Sequence, residues 1–388
     1  MDVGTNRDDL VCRACMRVGW KIRTDPIPLV FSDCLPWSGP QAIWFACNCG
    51  YVGKACDQDY ESALTFSYAN YSPFHQGGGE EQAVTQDGSS FLSRSSKVLT
   101  WLLKENLIRS TGSLLDFGCG NGSFLKASAA LIPSMNLHAA DINDSHRDAV
   151  LSLPNVHSFQ VLPLEPKEVE KFDVISLIHV LEHLPDPIAT LGNLASRLTQ
   201  DGVIVIQVPD LSANFFDLVV ADHLSHFTEK SASDLVRAAG FEVVASALGV
   251  VPKEITIILR KASSNLSSVS LSNDPSRQLT SDAFEFLEKW KAAAGAAGDS
   301  GLPVSIFGSS IAASWAVTLL EDRGHLVKEF LDEDPARLGG QLRGIKIKQP
   351  SRAASPERRV VLVPLVPVVS VSVSARLQSL GFETVFLS

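Results

Sequence analysis

The chain has 388 residues, 45% of them hydrophobic and 20% charged, with a formal net charge of −10 at pH 7. Such a length calls for two or three domains, the composition is globular, and the acidic balance argues against a general nucleic-acid partner. The N-terminal MDVGTNRDDL is too polar and acidic for a signal peptide, and the most apolar run, residues 360–373, is short for a bilayer and holds Pro364 and Pro367, so a cytoplasmic protein without a membrane partner is expected.

Apart from Cys119, the cysteines cluster near the N-terminus, at Cys12, Cys15, Cys34, Cys47, Cys49 and Cys56. Without a secretory signal this reads as metal before disulfide. Cys12-x-x-Cys15 suits two adjacent corners of a tetrahedral zinc site. Cys49 is the expected third ligand because Gly50 completes a knuckle-like turn, and Cys47 the fourth, with Cys34 and Cys56 as substitutes. Four thiolates leave no open position, so the zinc would be structural; the alternative is reduced thiols packed in a small core. Residues 77–81, GGGEE, read as a flexible joint, and 91–108 carry apolar residues at helical spacing.

Residues 114–122, LLDFGCGNG, join an apolar strand to a helix over 123–131. Asp116 precedes Gly118, Gly120 and Gly122, which permit a tight turn and close approach of a ligand. The spacing D-x-G-x-G-x-G departs from the dinucleotide G-x-G-x-x-G, whose last glycine is here Ser123. A carboxylate in the turn suits a ligand with a cationic amino-acid end, and S-adenosylmethionine (SAM) carries both a sulfonium and an ammonium. A strand over 137–140 then delivers Asp141, where an acid hydrogen-bonds ribose hydroxyls. NAD shares the ribose, so the glycine spacing separates the two cofactors.

Further strands are expected at 156–161 and 172–178, the latter a continuous apolar run typical of a central parallel strand. His179-Val180-Leu181-Glu182-His183 matches H-x-x-E-H, which on a helix would make a metallohydrolase. Pro185 and Pro187 leave room only for a short helix, so a loop flanking the cofactor, with His179 and Glu182 facing it, is the preferred reading. Asp201-Gly202 reads as a turn before a strand at 203–208. In Asp222-His223-Leu224-Ser225-His226, His223 is the expected general base, Asp222 its electrostatic partner and His226 the competing base, since an imidazole accepts a proton near neutral pH. A helix from Ser231 closes at Gly240, and strands follow at 241–246 and 255–259. Strands alternate with helices throughout, so the fold class is α/β, with a doubly wound sheet.

Residues 262–281 read as a serine-rich linker, 282–294 as a helix and 295–301 as a second joint. The alternation then restarts: strand 304–307, turn 308–310, helix 311–320, strand 325–331 ending at Asp332, and strand 360–366. This second Rossmann-like unit would cradle a nucleotide or serve a purely structural role. The expected domains are 1–76 (zinc-binding), 85–261 (cofactor-binding), 262–300 (linker and helix) and 301–388 (C-terminal).

These segments together resemble the three-domain sugar C-methyltransferases that act on nucleotide-linked deoxy-keto sugars. The similarity runs through Cys12, Cys15 and Cys49-Gly50, the tyrosines Tyr68 and Tyr71, LLDFGCGNGSFL, HVLEHLPDP, DGVIVIQVPDL and DHLSHFT, and in the last unit Phe307-Gly308, Asp332 and Gly340. The resemblance implies a class I methyltransferase domain between a zinc domain and a Rossmann-like domain, SAM as cofactor, and a nucleotide sugar as substrate. His223 would take the proton α to the sugar carbonyl. Val220, Ala221, Asp222 and His223 stand where the family has Y-H-E-H, residues 251–256 replace its H-G-G-S-L-R, and the usual lysine of the third domain's glycine turn is missing. An oxygen acceptor on another glycan or small molecule, and a non-catalytic protein that binds SAM or a sugar nucleotide, are the alternatives.

Overall fold

A computed structural model describes residues 10–22, 25–69, 71, 81, 83–84, 92–164, 170–263, 276–351 and 358–387. The joint expected at 77–81, except Glu81, and residues 264–275 of the expected linker lie outside these.

The N-terminal unit has three short strands, β1 (Trp20–Lys21), β2 (Trp44–Ala46) and β3 (Val52–Lys54), then helix α1 (Gln58–Tyr68). Asp57 caps α1 by accepting from the Tyr60 N–H, leaving one fewer orphan donor. The turn between β2 and β3 is Cys47 to Gly50, where Gly50 takes φ +94° and its N–H donates to the Cys47 carbonyl.

The middle unit starts with a small ladder of β4 (Ala83–Val84) and β5 (Leu92–Ser93), then α2 (Arg94–Lys104), β6 (Thr111–Phe117), α3 (Ser123–Leu131), β7 (Ser134–Asp141), α4 (Arg147–Leu151), β8 (Val156–Val161) and β9 (Phe172–Ile178). It continues through α5 (Pro187–Ala195), β10 (Leu198–Pro209), β11 (Ser225–His226), α6 (Glu229–Ala238), β12 (Phe241–Leu248) and β13 (Glu254–Lys261). Two 3-10 turns, Leu181–His183 and Phe215–Val219, follow β9 and β10. The sheet order is β12-β13-β10-β9-β6-β7-β8. Only β13 runs against its neighbours. From β6 the chain moves outward through β7 and β8, then returns to β9 and β10 on the other side. Such a reversal opens a ligand crevice at the carboxyl ends of the strands.

Strand β11 leaves this sheet and pairs antiparallel with β3, Ser225 opposite Gly53 and His226 opposite Val52. The N-terminal sheet is therefore completed by the segment that carries the candidate histidines.

Three expectations are corrected here. Asp201-Gly202 is not a turn: β10 runs through it, with a register slip against β9 between Leu198 and Val203. A glycine inside a strand often marks a close backbone approach, and a Cβ at Gly202 would lie 2.9 Å from the Phe172 carbonyl. The helix expected at 282–294 is α7 (Ser276–Asp299), which absorbs the end of the linker and most of the second joint. Its glycines serve contact and not bending: a Cβ at Gly295 would meet the Arg323 guanidinium and one at Gly298 the His325 ring. The strand expected at 360–366 stops at Leu362: Pro364 has no N–H to carry the ladder on, and the next helix begins at Pro367.

The C-terminal unit comprises β14 (Val304–Phe307), α8 (Ile311–Glu321), β15 (Val327–Leu331), β16 (Gln341–Leu342), β17 (Ile345–Lys348), β18 (Val360–Leu362), α9 (Pro367–Ser379) and β19 (Glu383–Val385). Its sheet order is β16-β17-β15-β14-β18-β19, parallel except for β16. One apolar core runs through all three units. Phe216, from the second 3-10 turn, packs against Trp290 of α7 and Trp315 of α8 with centroids 6.3 and 6.0 Å apart, and the Trp315 indole donates to the Pro28 carbonyl at 2.8 Å. Among the described residues no helix is long and apolar enough to cross a membrane.

Candidate active site

The crevice at the switch point is a cavity of about 410 Å³. One end is the glycine turn. Gly118, Gly120 and Gly122 take φ of +79°, +52° and +82°, left-handed values that cost any other residue roughly 1–2 kcal/mol. This curl points backbone donors at β7: the Gly118 and Cys119 N–H groups reach the Ala140 carbonyl, and the Gly120 N–H donates to Asp141 Oδ2 at 2.8 Å. Asp141 thus ties the turn down with one oxygen. Asp116 is 2% exposed and accepts from the Ser176 hydroxyl at 2.7 Å. Burial, aided by the nearby Asp141 charge, pushes its carboxyl up to about 7 despite that hydrogen bond. Asp116, Gly118, Gly120 and Asp141 all line the cavity.

The loop after β9 forms one wall. His179, at φ +55°, has both ring nitrogens beside carboxylates: Nδ1 is 3.1 Å from Glu182 Oε1 and Nε2 3.2 Å from Glu254 Oε2. Glu254 is paired in turn with Arg94 at 2.9 Å. Burial opposes charge on His179, but Glu254 and Glu182 outweigh it and raise the imidazole to about 9. The loop preferred over the zincin helix for H-x-x-E-H is what forms: only Leu181–His183 make a 3-10 turn, and both His179 nitrogens face carboxylates, Glu182 and Glu254.

The far wall joins the N-terminal and middle units. His183 Nδ1 lies 3.0 Å from the Asp222 carbonyl, 3.2 Å from its Oδ2 and 3.1 Å from the Tyr68 hydroxyl. Tyr68 donates to Asp222 Oδ2 at 3.1 Å, and Ser32 donates to the same carboxylate through its N–H and its hydroxyl. Burial of Asp222 is offset by His183, which holds the carboxyl well below the usual range. Tyr68 and His183 line the cavity.

His223 and His226 stand farther back than expected. His223, 8% exposed, lies behind His183, ring edge to face with centroids 4.7 Å apart, and is not part of the cavity lining. Its Nδ1 is 2.5 Å from Asp217 Oδ1, and His226 Nδ1 is 2.5 Å from Asp217 Oδ2. Burial and the neighbouring Lys54 push His226 down to about 4. Lys54, fully buried, donates to the carbonyls of Val220 and His223 at 2.6 and 2.9 Å and lies 3.1 Å from His226 Nε2. His226 therefore belongs to the interface between units. Sequence reading missed Asp217, Glu254 and Lys54; a lysine directly after Tyr51-Val52-Gly53 and before Ala55 was the one available signal.

Cys12, Cys15, Cys47 and Cys49 converge, with one ligand atom of each within 4.8 Å of the others. The Cys12–Cys49 and Cys15–Cys47 sulfurs are 3.4 Å apart, near the roughly 3.8 Å edge that a tetrahedral site with Zn–S of about 2.3 Å requires. The donor set thus fits structural zinc. Cys34 is packed in the core and Cys56 beside the cavity, so neither substitutes. Arg13, inside the first knuckle, donates to the carbonyls of Pro185, Lys54 and Leu224, tying the cysteine cluster to the loops of the far wall. In the C-terminal unit, the Ser309 hydroxyl donates to Asp332 Oδ2 and Arg337 donates to Ser309, so the acid expected to meet a nucleotide is bonded within the turn.

Residues 91–246 match a family model described as a methyltransferase domain. A ubiquinone biosynthesis O-methyltransferase of Haemophilus ducreyi is 26% identical over 117 residues, 28% of this chain and 49% of that protein. The corresponding enzyme of Coxiella burnetii is 24% identical over 127 residues, 31% of this chain and 54% of its own. The chain thus spans about half the length of these curated relatives. A Burkholderia thailandensis 1,6-didemethyltoxoflavin N1-methyltransferase structure aligns with 54% of this chain and 95% of its own at 21% identity, with a TM-score of 0.40. The α/β order of the middle unit is the class I methyltransferase fold.

Proposed function

We propose that this chain transfers a methyl group from SAM to a small-molecule acceptor. The carrying observation is the coincidence of the methyltransferase-domain match with a cavity that has Asp116, the glycine turn and Asp141 at one end and the Tyr68–His183 wall at the other. The cofactor's amino-acid end would lie against the glycine turn, where no Cβ intrudes, with its cationic groups near Asp116. Asp141 would meet the ribose through the remaining acceptor capacity of its two oxygens, of which Oδ2 holds the Gly120 N–H and Oδ1 the Asn143 N–H. Structural zinc at Cys12, Cys15, Cys47 and Cys49 would brace the N-terminal unit, and through Arg13 the loops of the far wall.

The acceptor would occupy the far end, against the wall that Tyr68 and His183 form. Its activation falls to His183, backed by Asp222, and not directly to His223, which reaches the cavity only through His183. The largest rate contribution would come from holding acceptor and methyl carbon in near-attack geometry. A carbon centre next to the carbonyl of a nucleotide-linked keto sugar is the acceptor that the resemblance of all three units supports. The curated relatives named as O-methyltransferases support an oxygen acceptor as the second reading.

Isothermal titration tests the cofactor: SAM should bind and NAD should not, and equal binding of NAD would refute the assignment. With labelled SAM and candidate acceptors, His183→Ala should lose about 10²–10⁴-fold in rate, the range of acid–base assistance, at unchanged SAM affinity. Full activity of that variant would remove the far wall from the mechanism.

A further inference from the structure

We propose that Glu182, His183 and His223 form a second metal site, for a divalent cation of the zinc class, at the acceptor end of the cavity. The inference rests on the reading above only for where the acceptor lies, and it turns His183 from a base into a ligand, so that activation of the acceptor runs through the cation. The three residues come from two loops distant in sequence, one after β9 and one before β11, yet offer ligand atoms within 4.8 Å of one another.

The first argument is an orphaned oxygen. Glu182 is fully buried. Its Oε1 is engaged by His179, whereas Oε2 is buried without any hydrogen-bond partner. An unsatisfied buried carboxylate oxygen is costly, more so than a neutral group. A cation between Oε2 and the two imidazoles would satisfy it.

The second argument is the orientation of the imidazoles. Each has its Nδ1 against a different carboxylate, His183 on Asp222 and His223 on Asp217. That leaves the two Nε2 atoms as the ligating ones. Histidines bound to metals characteristically give their other ring nitrogen to a carboxylate, which fixes ring and tautomer. The rings stand at 89° with centroids 4.7 Å apart, so the two Nε2 atoms need not compete for one plane. Asp217 and Asp222 are both buried and add negative charge around the gap.

The third argument is access. Two histidines and one glutamate are a donor set that leaves a fourth position open. Of the three, His183 lines the cavity while Glu182 and His223 stand behind it, so the site would sit in the wall of the acceptor end. A cation there would polarise a carbonyl or hydroxyl oxygen of the acceptor. The site differs from a zincin, since His179 is committed to Glu182 and Glu254.

Zinc content of the full-length protein, saturated with zinc and desalted, tests the inference. About two zinc ions per chain are expected, one for each ligand set. Glu182→Gln and His223→Ala should each hold about one, and Cys12→Ser should keep the second while weakening the first. Because a buried substitution can unfold the loop, wild-type protein is also titrated with Co²⁺ once zinc fills the cysteine site. The expected result is a d–d absorption without the intense thiolate charge-transfer band. One zinc at saturation with no such Co²⁺ spectrum, or Glu182→Gln with undiminished zinc, overturns the second site. SAM titration of the same samples keeps the two readings apart: lost SAM binding with two zincs retained counts against the methyltransferase, and SAM binding with a single zinc counts against this site.

Discussion

Gly118→Ala probes the turn on which the cofactor site depends. Gly118 sits at φ +79°, where a Cβ costs roughly 1–2 kcal/mol. The added methyl would also fall closer than 3.0 Å to Val180 Cγ2 and 3.3 Å from its Cγ1. Val180 follows His179, so it cannot retreat without moving the His179 contacts to Glu182 and Glu254. Overpacking of this kind costs about 1–3 kcal/mol. The two effects sum to about 2–5 kcal/mol, divided between stability and SAM affinity because both depend on the turn. Denaturant unfolding of the free protein and calorimetric titration of SAM measure the two shares. Val180→Ala in the same chain should recover the steric part and leave the backbone part, giving a coupling energy in the double-mutant cycle of about 1–3 kcal/mol. A Gly118→Ala protein with wild-type stability and affinity, or one that Val180→Ala does not rescue, would refute the reasoning.

Two further outcomes follow from the same geometry. Cys12→Ser should lower both zinc content and resistance to denaturant, because metal-binding energy is folding energy, whereas Cys34→Ser and Cys56→Ser should keep the zinc; metal-free protein of unchanged stability would show the thiols to be merely packed. Asp116, raised to about 7, is neutral below that pH and ionised above it, so SAM affinity measured by titration should rise as pH increases through about 7, and Asp116→Asn should flatten the profile. In the ligand-free protein the sign reverses: the folded state retains a proton that the unfolded chain releases near pH 4, so this group's contribution to stability falls as pH rises through that window. A SAM affinity independent of pH would place the cationic groups away from Asp116.

The glycine-turn end of the cavity was legible in the sequence because it is built from near neighbours. Asp116 and the three glycines lie within one turn, and Asp141 ends the strand paired directly with β6. The four cysteines were legible in kind, from C-x-x-C and the glycine turn at Gly50, although rejecting Cys34 and Cys56 required coordinates. The opposite wall was less legible. Spacing along the loop placed His223 forward, but the 3-10 turn Phe215–Val219 carries Asp217 beneath both histidines and draws them back, leaving His183 at the surface of the cavity.

The sequence by itself determined the strand–glycine turn–helix unit, the alternation of strands and helices, and the donor chemistry of each segment, because backbone sterics, hydrophobic periodicity and residue type act over a few neighbouring positions. Tertiary structure alone decided that β11 crosses to complete the N-terminal sheet, that Lys54 is buried against His226, that α7 runs unbroken through Gly295 and Gly298, and that Glu182 faces His183 and His223. Those facts depend on which distant surfaces pack together, and packing is settled by the fit of whole elements, which no local spacing encodes.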